Sequence, residues 1–249
     1  MSRTPISDRI TPSEEILRDD GIIDSKGLLD EVNLYNLYDD RHSPEQDAER
    51  ILEITYPTET LSTIIRNIAQ NLNEDTGFSE GGQIVGGGYG SGKSHIGLVV
   101  YHLFNSPEIG QPWLDQQGIE AALPSETRTA ALQMFNLEKD YARLSEAVGD
   151  YLGINQWAED TDLPTVHQIR DALDGEPALV LLDEFERWYG MFEREAYQDD
   201  NLAFLQNLLE AAGRDDTRLS VFVSLLYKDE EVQAVTQRTN PFTHDLSSR

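Results

Sequence analysis

Gly86-Gly87-Gly88-Tyr89-Gly90-Ser91-Gly92-Lys93-Ser94 is the stretch on which the fold turns. From Gly87 to Ser94 it spells G-x-x-x-x-G-K-S. Glycines in such a loop accept positive φ and let backbone N–H groups approach phosphate oxygens with no Cβ between them. Gln83-Ile84-Val85 before it reads as a short strand, and a helical pattern follows from Lys93 to Phe104. The loop is therefore predicted to open onto a helix N-terminus, whose dipole and unpaired amides favour an anion. Gly87, Gly88, Tyr89, Gly90, Ser91 and Gly92 would form the cradle. Lys93 is expected to reach the β- and γ-phosphates of a nucleotide, and Ser94 to coordinate Mg²⁺. The bland alternative is a chance glycine-rich turn; the strand before and the helix after are the context that separates the two. Lysine is scarce here, at Lys26, Lys93, Lys139 and Lys228 only, among 19 basic residues. One of the four stands where a compact ammonium is required and guanidinium substitutes poorly.

Such a loop needs a second strand that brings an acid to the metal. Ala178-Leu179-Val180-Leu181-Leu182-Asp183-Glu184 fits, an apolar run closed by two carboxylates. Asp183 is expected to hold Mg²⁺ and Glu184 to deprotonate the attacking water. In so acidic a chain the alternative is a buried strand ending in a solvated acidic turn. Leu219–Leu226 supplies another buried strand, with Ser224 near its end to sense γ-phosphate or orient water, or simply to bond local backbone. Ser220 takes that place if the register differs. Arg238 is a candidate arginine finger, with an ordinary surface arginine as the alternative. Trp188 and Tyr189 are expected to pack at the sheet edge. His42, His95, His102, His167 and His244 lack metal-ligand spacing. No Asn-Lys-x-Asp guanine signature occurs, which disfavours a GTPase.

Working outward, residues 1–56 form an irregular N-terminal extension, with apolar pairs at Ile16-Leu17, Ile22-Ile23 and Leu28-Leu29 and a short helix over Ala48–Ile54. Thr58 is a plausible N-cap for a helix through Asn71, with Leu61, Ile64, Ile65, Ile68 and Leu72 at helical spacing. Asn105 to Glu126, rich in Pro, Gly and Gln, reads as a loop. Ala130–Leu137 then reads as a strand, Tyr141–Leu152 and Val166–Leu173 as helices. Leu202–Ala212 and Glu230–Gln237 read as helices too, the first with four leucines on one side. Strands alternating with helices predict an α/β fold with a parallel sheet, a P-loop NTPase core over residues 57–249.

The composition sets the outer bounds. A chain of 249 residues, 39% hydrophobic and 26% charged, is long enough for a sizeable core. No run reaches the ~18 apolar residues of a membrane span, and Met1–Ile10 lacks a signal peptide's apolar stretch, so a cytoplasmic location is expected. Without cysteine, disulfides and thiolate metal sites are excluded. The net charge is −27, with acids dispersed through almost every segment. Dispersed acid with arginine kept as the main base resembles the proteins of salt-accumulating halophiles; the alternative is a mesophilic acidic protein with a basic partner. No basic-aromatic patch marks a DNA surface, although in molar salt the acidity excludes DNA contact only weakly.

Ile54-Thr55-Tyr56-Pro57-Thr58-Glu59-Thr60-Leu61, Gly87 through Ser94 with His95, and Tyr101-His102-Leu103-Phe104 together resemble the large AAA-type ATPases of phage-defence islands, as in BREX and Pgl systems. The resemblance covers about residues 30–110. It places His95 with the nucleotide loop and implies Mg²⁺-dependent ATP hydrolysis driving conformational change in a multi-protein complex, as a homo-oligomer or with other defence proteins. It also implies a longer protein. No final core strand, helical lid or second sensor arginine is evident before Arg249, so an N-terminal fragment is expected, with a split gene product or a frameshifted remnant as the alternatives. The alternative function is an ATP-binding interaction module with little or no hydrolysis. A small-molecule kinase ranks third, because Asp183-Glu184 favours water as the acceptor.

Overall fold

The structure is a computed structural model and describes residues 32–38, 43–73, 81–134, 141, 143–159, 163–185, 195–225 and 242–245. From Asn33 onward they belong to one compact unit, Asn33–Arg249. The apolar pairs before residue 30, Trp188, Tyr189, the Glu230–Gln237 helix and Arg238 lie outside the described residues.

Five strands, β1 (Gly82–Gly86), β2 (Arg128–Gln133), β3 (Ala178–Asp183), β4 (Leu219–Leu225) and β5 (Phe242–Asp245), make one sheet in the order β2-β3-β4-β1-β5. Every pairing is parallel. All residues of β1, β3 and β4 are buried, as in parallel strands covered on both faces, and the unbroken apolar run Ala178–Leu182 of β3 is the sequence form of that burial. From β1 the chain passes β4 and β3 to reach the far edge, then works back through β3 to β4. Neighbours β1 and β4 thus send their connections opposite ways. At such a switch point a crevice opens beyond the C-terminal strand ends, where α/β sheets take their ligands.

The helices are α1 (Ala48–Glu53), α2 (Glu59–Leu72), α3 (Lys93–Asn105), α4 (Pro107–Gln117), α5 (Leu144–Leu152), α6 (Gln156–Glu159), α7 (Val166–Leu173) and α8 (Glu195–Ala212). Thr58 caps α2, its side-chain oxygen accepting from the Leu61 N–H at 3.2 Å. Leu61, Ile64, Ile65, Ile68 and Leu72 are all buried. Strands and helices share one apolar cluster: Val180 and Leu182 of β3 and Val221 and Val223 of β4 join Leu144, Val148, Ile169, Leu173, Phe204 and Leu208. Helix α3 packs against β2, β3 and β4. Ahead of residue 57, Leu34 and Ile51 are fully buried. The Tyr38 hydroxyl accepts from the Ala131 N–H at 3.0 Å, covering part of the β2 edge. Among the described residues no helix is long and apolar enough to cross a membrane.

Two expectations are corrected. Residues 107–117 form α4 rather than continuing the loop. Pro107 stands at the first helical positions, where a missing N–H costs nothing, and Trp113 and Leu114 bury the helix. Gly110 serves contact, since a Cβ there would lie 2.9 Å from the Leu103 carbonyl oxygen. The other correction is β5, a strand that the pattern did not offer. Its four residues carry too short an apolar signal alone, and pairing with β1 from Gln83↔Phe242 to Gly86↔Asp245 makes the strand. Helix α6 and the 3-10 turns Leu34–Tyr38 and Pro44–Gln46 had no counterpart in the pattern either, and other limits move: β2 ends at Gln133, α5 begins at Leu144 and α8 begins at Glu195.

Candidate phosphate-binding site

The glycine loop leaves β1 at the switch point. The Gly87 N–H donates to the Leu225 carbonyl at 3.2 Å, so β1 and β4 stay joined as far as the loop's first residue. Gly90 and Gly92 hold φ of 72° and 88°, and side chains there would be strained. Gly92 is the N-cap of α3 and, having no side chain, offers its first turn no side-chain cap. An anion at that end would meet amides and the positive end of a 13-residue helix. Gly88, Tyr89, Gly90 and Gly92 are exposed, whereas Lys93 is buried. The Lys93 ammonium donates to the carbonyls of Gly87 at 3.1 Å and Gly88 at 2.9 Å, which holds its charge under the loop. Ser91 Oγ is buried in the loop without a hydrogen-bond partner.

Beside the loop stands the C-terminal end of β3. Asp183 is 1% exposed, and burial pushes its carboxyl above the ordinary value. The Ser224 and Ser94 hydroxyls, the Lys93 charge and the Glu184 N–H oppose that shift without cancelling it. Ser224 Oγ donates to Asp183 Oδ1, while Oδ2 is buried without a hydrogen-bond partner. A buried carboxylate oxygen with nothing to bind is costly unless a cation or donor meets it. Glu184 adopts φ of 56°, a left-handed backbone rare outside glycine, and its N–H donates to Ser224 Oγ at 3.0 Å.

Lys93, Ser94, Asp183, Glu184 and Ser224 are therefore brought together, from the ends of two adjacent strands, β3 and β4, and the first turn of α3. Ser220 is not with them: it is buried near the start of β4, where Asn71 Nδ2 donates to its hydroxyl at 3.3 Å. Tyr89 is 74% exposed at the loop. His95 turns its Nε2 to Thr55 Oγ1 at 2.9 Å, and Thr55 donates its only hydroxyl proton to the Ile51 carbonyl at 2.6 Å. Nε2 must then carry the proton, and burial lowers the ring's pKa below 6.5. This bond ties Thr55, two residues past α1, to the first turn of α3. Sequence reading gave Thr55 no role, since only the fold brings residues 40 apart together.

Comparison of the sequence with protein-family models and with curated proteins finds no match in either set.

Proposed function

We propose that the chain is a Mg²⁺-dependent ATPase with a P-loop fold of AAA type. The observation that carries this reading is the buried, unpartnered Oδ2 of Asp183 beside Lys93 and Ser94, at the mouth of an uncapped helix. Loop amides and the Lys93 ammonium would bind the β- and γ-phosphates, exchanging the Gly87 and Gly88 carbonyls for phosphate oxygens. One free carboxylate oxygen and one hydroxyl fit Mg²⁺, which takes few protein ligands and completes its shell with phosphates and water. Held by Asp183 and Ser94, Mg²⁺ would supply charge neutralisation to the phosphates. Glu184 takes the proton of the attacking water. The missing guanine signature favours adenine. By resemblance, the work done is conformational change in a cytoplasmic defence complex, with copies of itself or with other proteins.

Steady-state ATP hydrolysis with Mg²⁺ in molar KCl tests the reading. Lys93→Ala should abolish nucleotide binding, and wild-type-like binding by that variant would remove the site. Glu184→Gln should bind ATP yet turn it over about 10²–10⁴-fold more slowly, the range of a lost general base. Unchanged turnover would place the base elsewhere.

A further inference from the structure

Resting on that nucleotide reading, we propose that Ser224 is a positioning residue: its hydroxyl straps β4 to Asp183, the last residue of β3, and to Glu184 just beyond it. It thereby selects which oxygen of Asp183 is free for a cation and fixes the turn of the Glu184 backbone. The β3–β4 ladder ends at the pair Leu182↔Val223. One step on, where backbone pairing stops, the Ser224 side chain continues it by donating to Asp183 Oδ1. A hydroxyl has one proton, so Oδ1 takes it and Oδ2 is left unpartnered. The same oxygen accepts the Glu184 N–H at 3.0 Å and so holds a residue whose φ is 56°. Non-glycine residues keep such a backbone only where their surroundings over-determine it. Ser224 is fully buried and, on its other side, pairs in register with Val85 of β1, two residues before Gly87. The strap thus joins the metal acid, the general base and the strand that carries the phosphate loop. Its proton is committed to Asp183, so it acts through the carboxylates rather than on phosphate.

The test compares wild type, Ser224→Ala and Ser224→Thr in molar KCl, by calorimetric ATP binding with and without Mg²⁺, by turnover across a Mg²⁺ titration, and by thermal melting. Ser224→Ala should bind metal-free ATP with unchanged affinity. It should lose about 10–100-fold in kcat or in Mg²⁺ half-saturation, the usual effect of removing a partner that orients a metal ligand. Ser224→Thr, which keeps the hydroxyl, should recover most of that loss. Wild-type Mg²⁺ dependence and kcat in Ser224→Ala would overturn the strap and leave the nucleotide reading standing. A loss that threonine does not rescue, with a lowered melting temperature in both variants, would also overturn it by assigning Ser224 to packing. Absence of Mg²⁺–ATP binding by the wild-type chain would overturn the nucleotide reading itself, and the strap with it.

Discussion

His102 makes stability depend on pH through a single buried ring. It is 3% exposed on α3, and its Nε2 lies 2.7 Å from the Glu45 carbonyl oxygen. A carbonyl only accepts, so Nε2 carries a proton, and it is burial that favours the neutral ring. Burial lowers its pKa below 6.5, against smaller opposing pulls from the Glu45 carbonyl and Asp47. The unfolded chain takes up a proton near 6.5 and the folded chain does so only at lower pH. His102 therefore favours the fold fully above 6.5, and that contribution is lost as pH falls through the window beneath it. His95 shifts the same way for the same reason. The melting temperature should fall as pH drops from about 6.5 to about 5, and His102→Gln, which keeps an N–H for Glu45, should flatten part of that slope. An unchanged slope in the variant would show that the titration lies elsewhere. At this scale the sequence was legible where chemistry is contiguous. Gly87–Ser94 and Asp183-Glu184 each carry their meaning in neighbouring residues. The bonds from Ser224 to Asp183 and Glu184, 41 and 40 positions away, depend on β3 lying beside β4. No local pattern encodes that adjacency.

Elements were legible in proportion to how much of their signal is their own. Strand β3 is an unbroken apolar run up to Asp183, β4 is apolar but for Ser220 and Ser224, and α2 shows its buried face at helical spacing. Helix α4 was obscured because Pro107 and Gly110, read as loop punctuation, have structural uses within a helix, which also carries Pro112 in its interior. Its dependence on Gly110 is testable. A Cβ at that position would meet the Leu103 carbonyl oxygen at 2.9 Å and Leu123 Cδ1 at 2.9 Å. Alanine would otherwise improve the helix by roughly 0.5–1 kcal/mol. The backbone oxygen of α3 has little room to yield, so the overpacking penalty of about 1–3 kcal/mol should prevail. Gly110→Ala is expected to melt lower, by about 2–4 °C for each kcal/mol lost in a chain of this size. A higher melting temperature would mean that α3 and α4 do not approach so closely. Strand β5 was hidden for the opposite reason: with four residues, its identity comes from pairing with β1.

For the whole molecule the dominant long-range force is its own charge. With 46 acidic and 19 basic side chains the chain carries −27 at pH 7. The ion pairs that Arg128, Arg170 and Arg214 make with Glu176, Asp171 and Asp216 join side chains that are each about a third or more exposed. Such pairs contribute about 0–1 kcal/mol and do not offset the mutual repulsion of a net charge of −27. Salt does so more effectively, because the screening length falls from about 10 Å at 0.1 M to about 3 Å at 1 M. The melting temperature at pH 7 should therefore climb steeply as KCl rises from about 0.1 M to the molar range. Screening also predicts where the effect ends. Near the isoelectric point, pH 4.3, the net charge is small and the increment should shrink. Melting curves at the two pH values and two salt concentrations separate the causes. An increment present at pH 7 and diminished near pH 4.3 identifies self-repulsion. An equal increment at both would assign the effect to salt acting on apolar hydration. A flat response at pH 7 would remove the halophilic reading and leave the acidic surface to be explained by a basic partner.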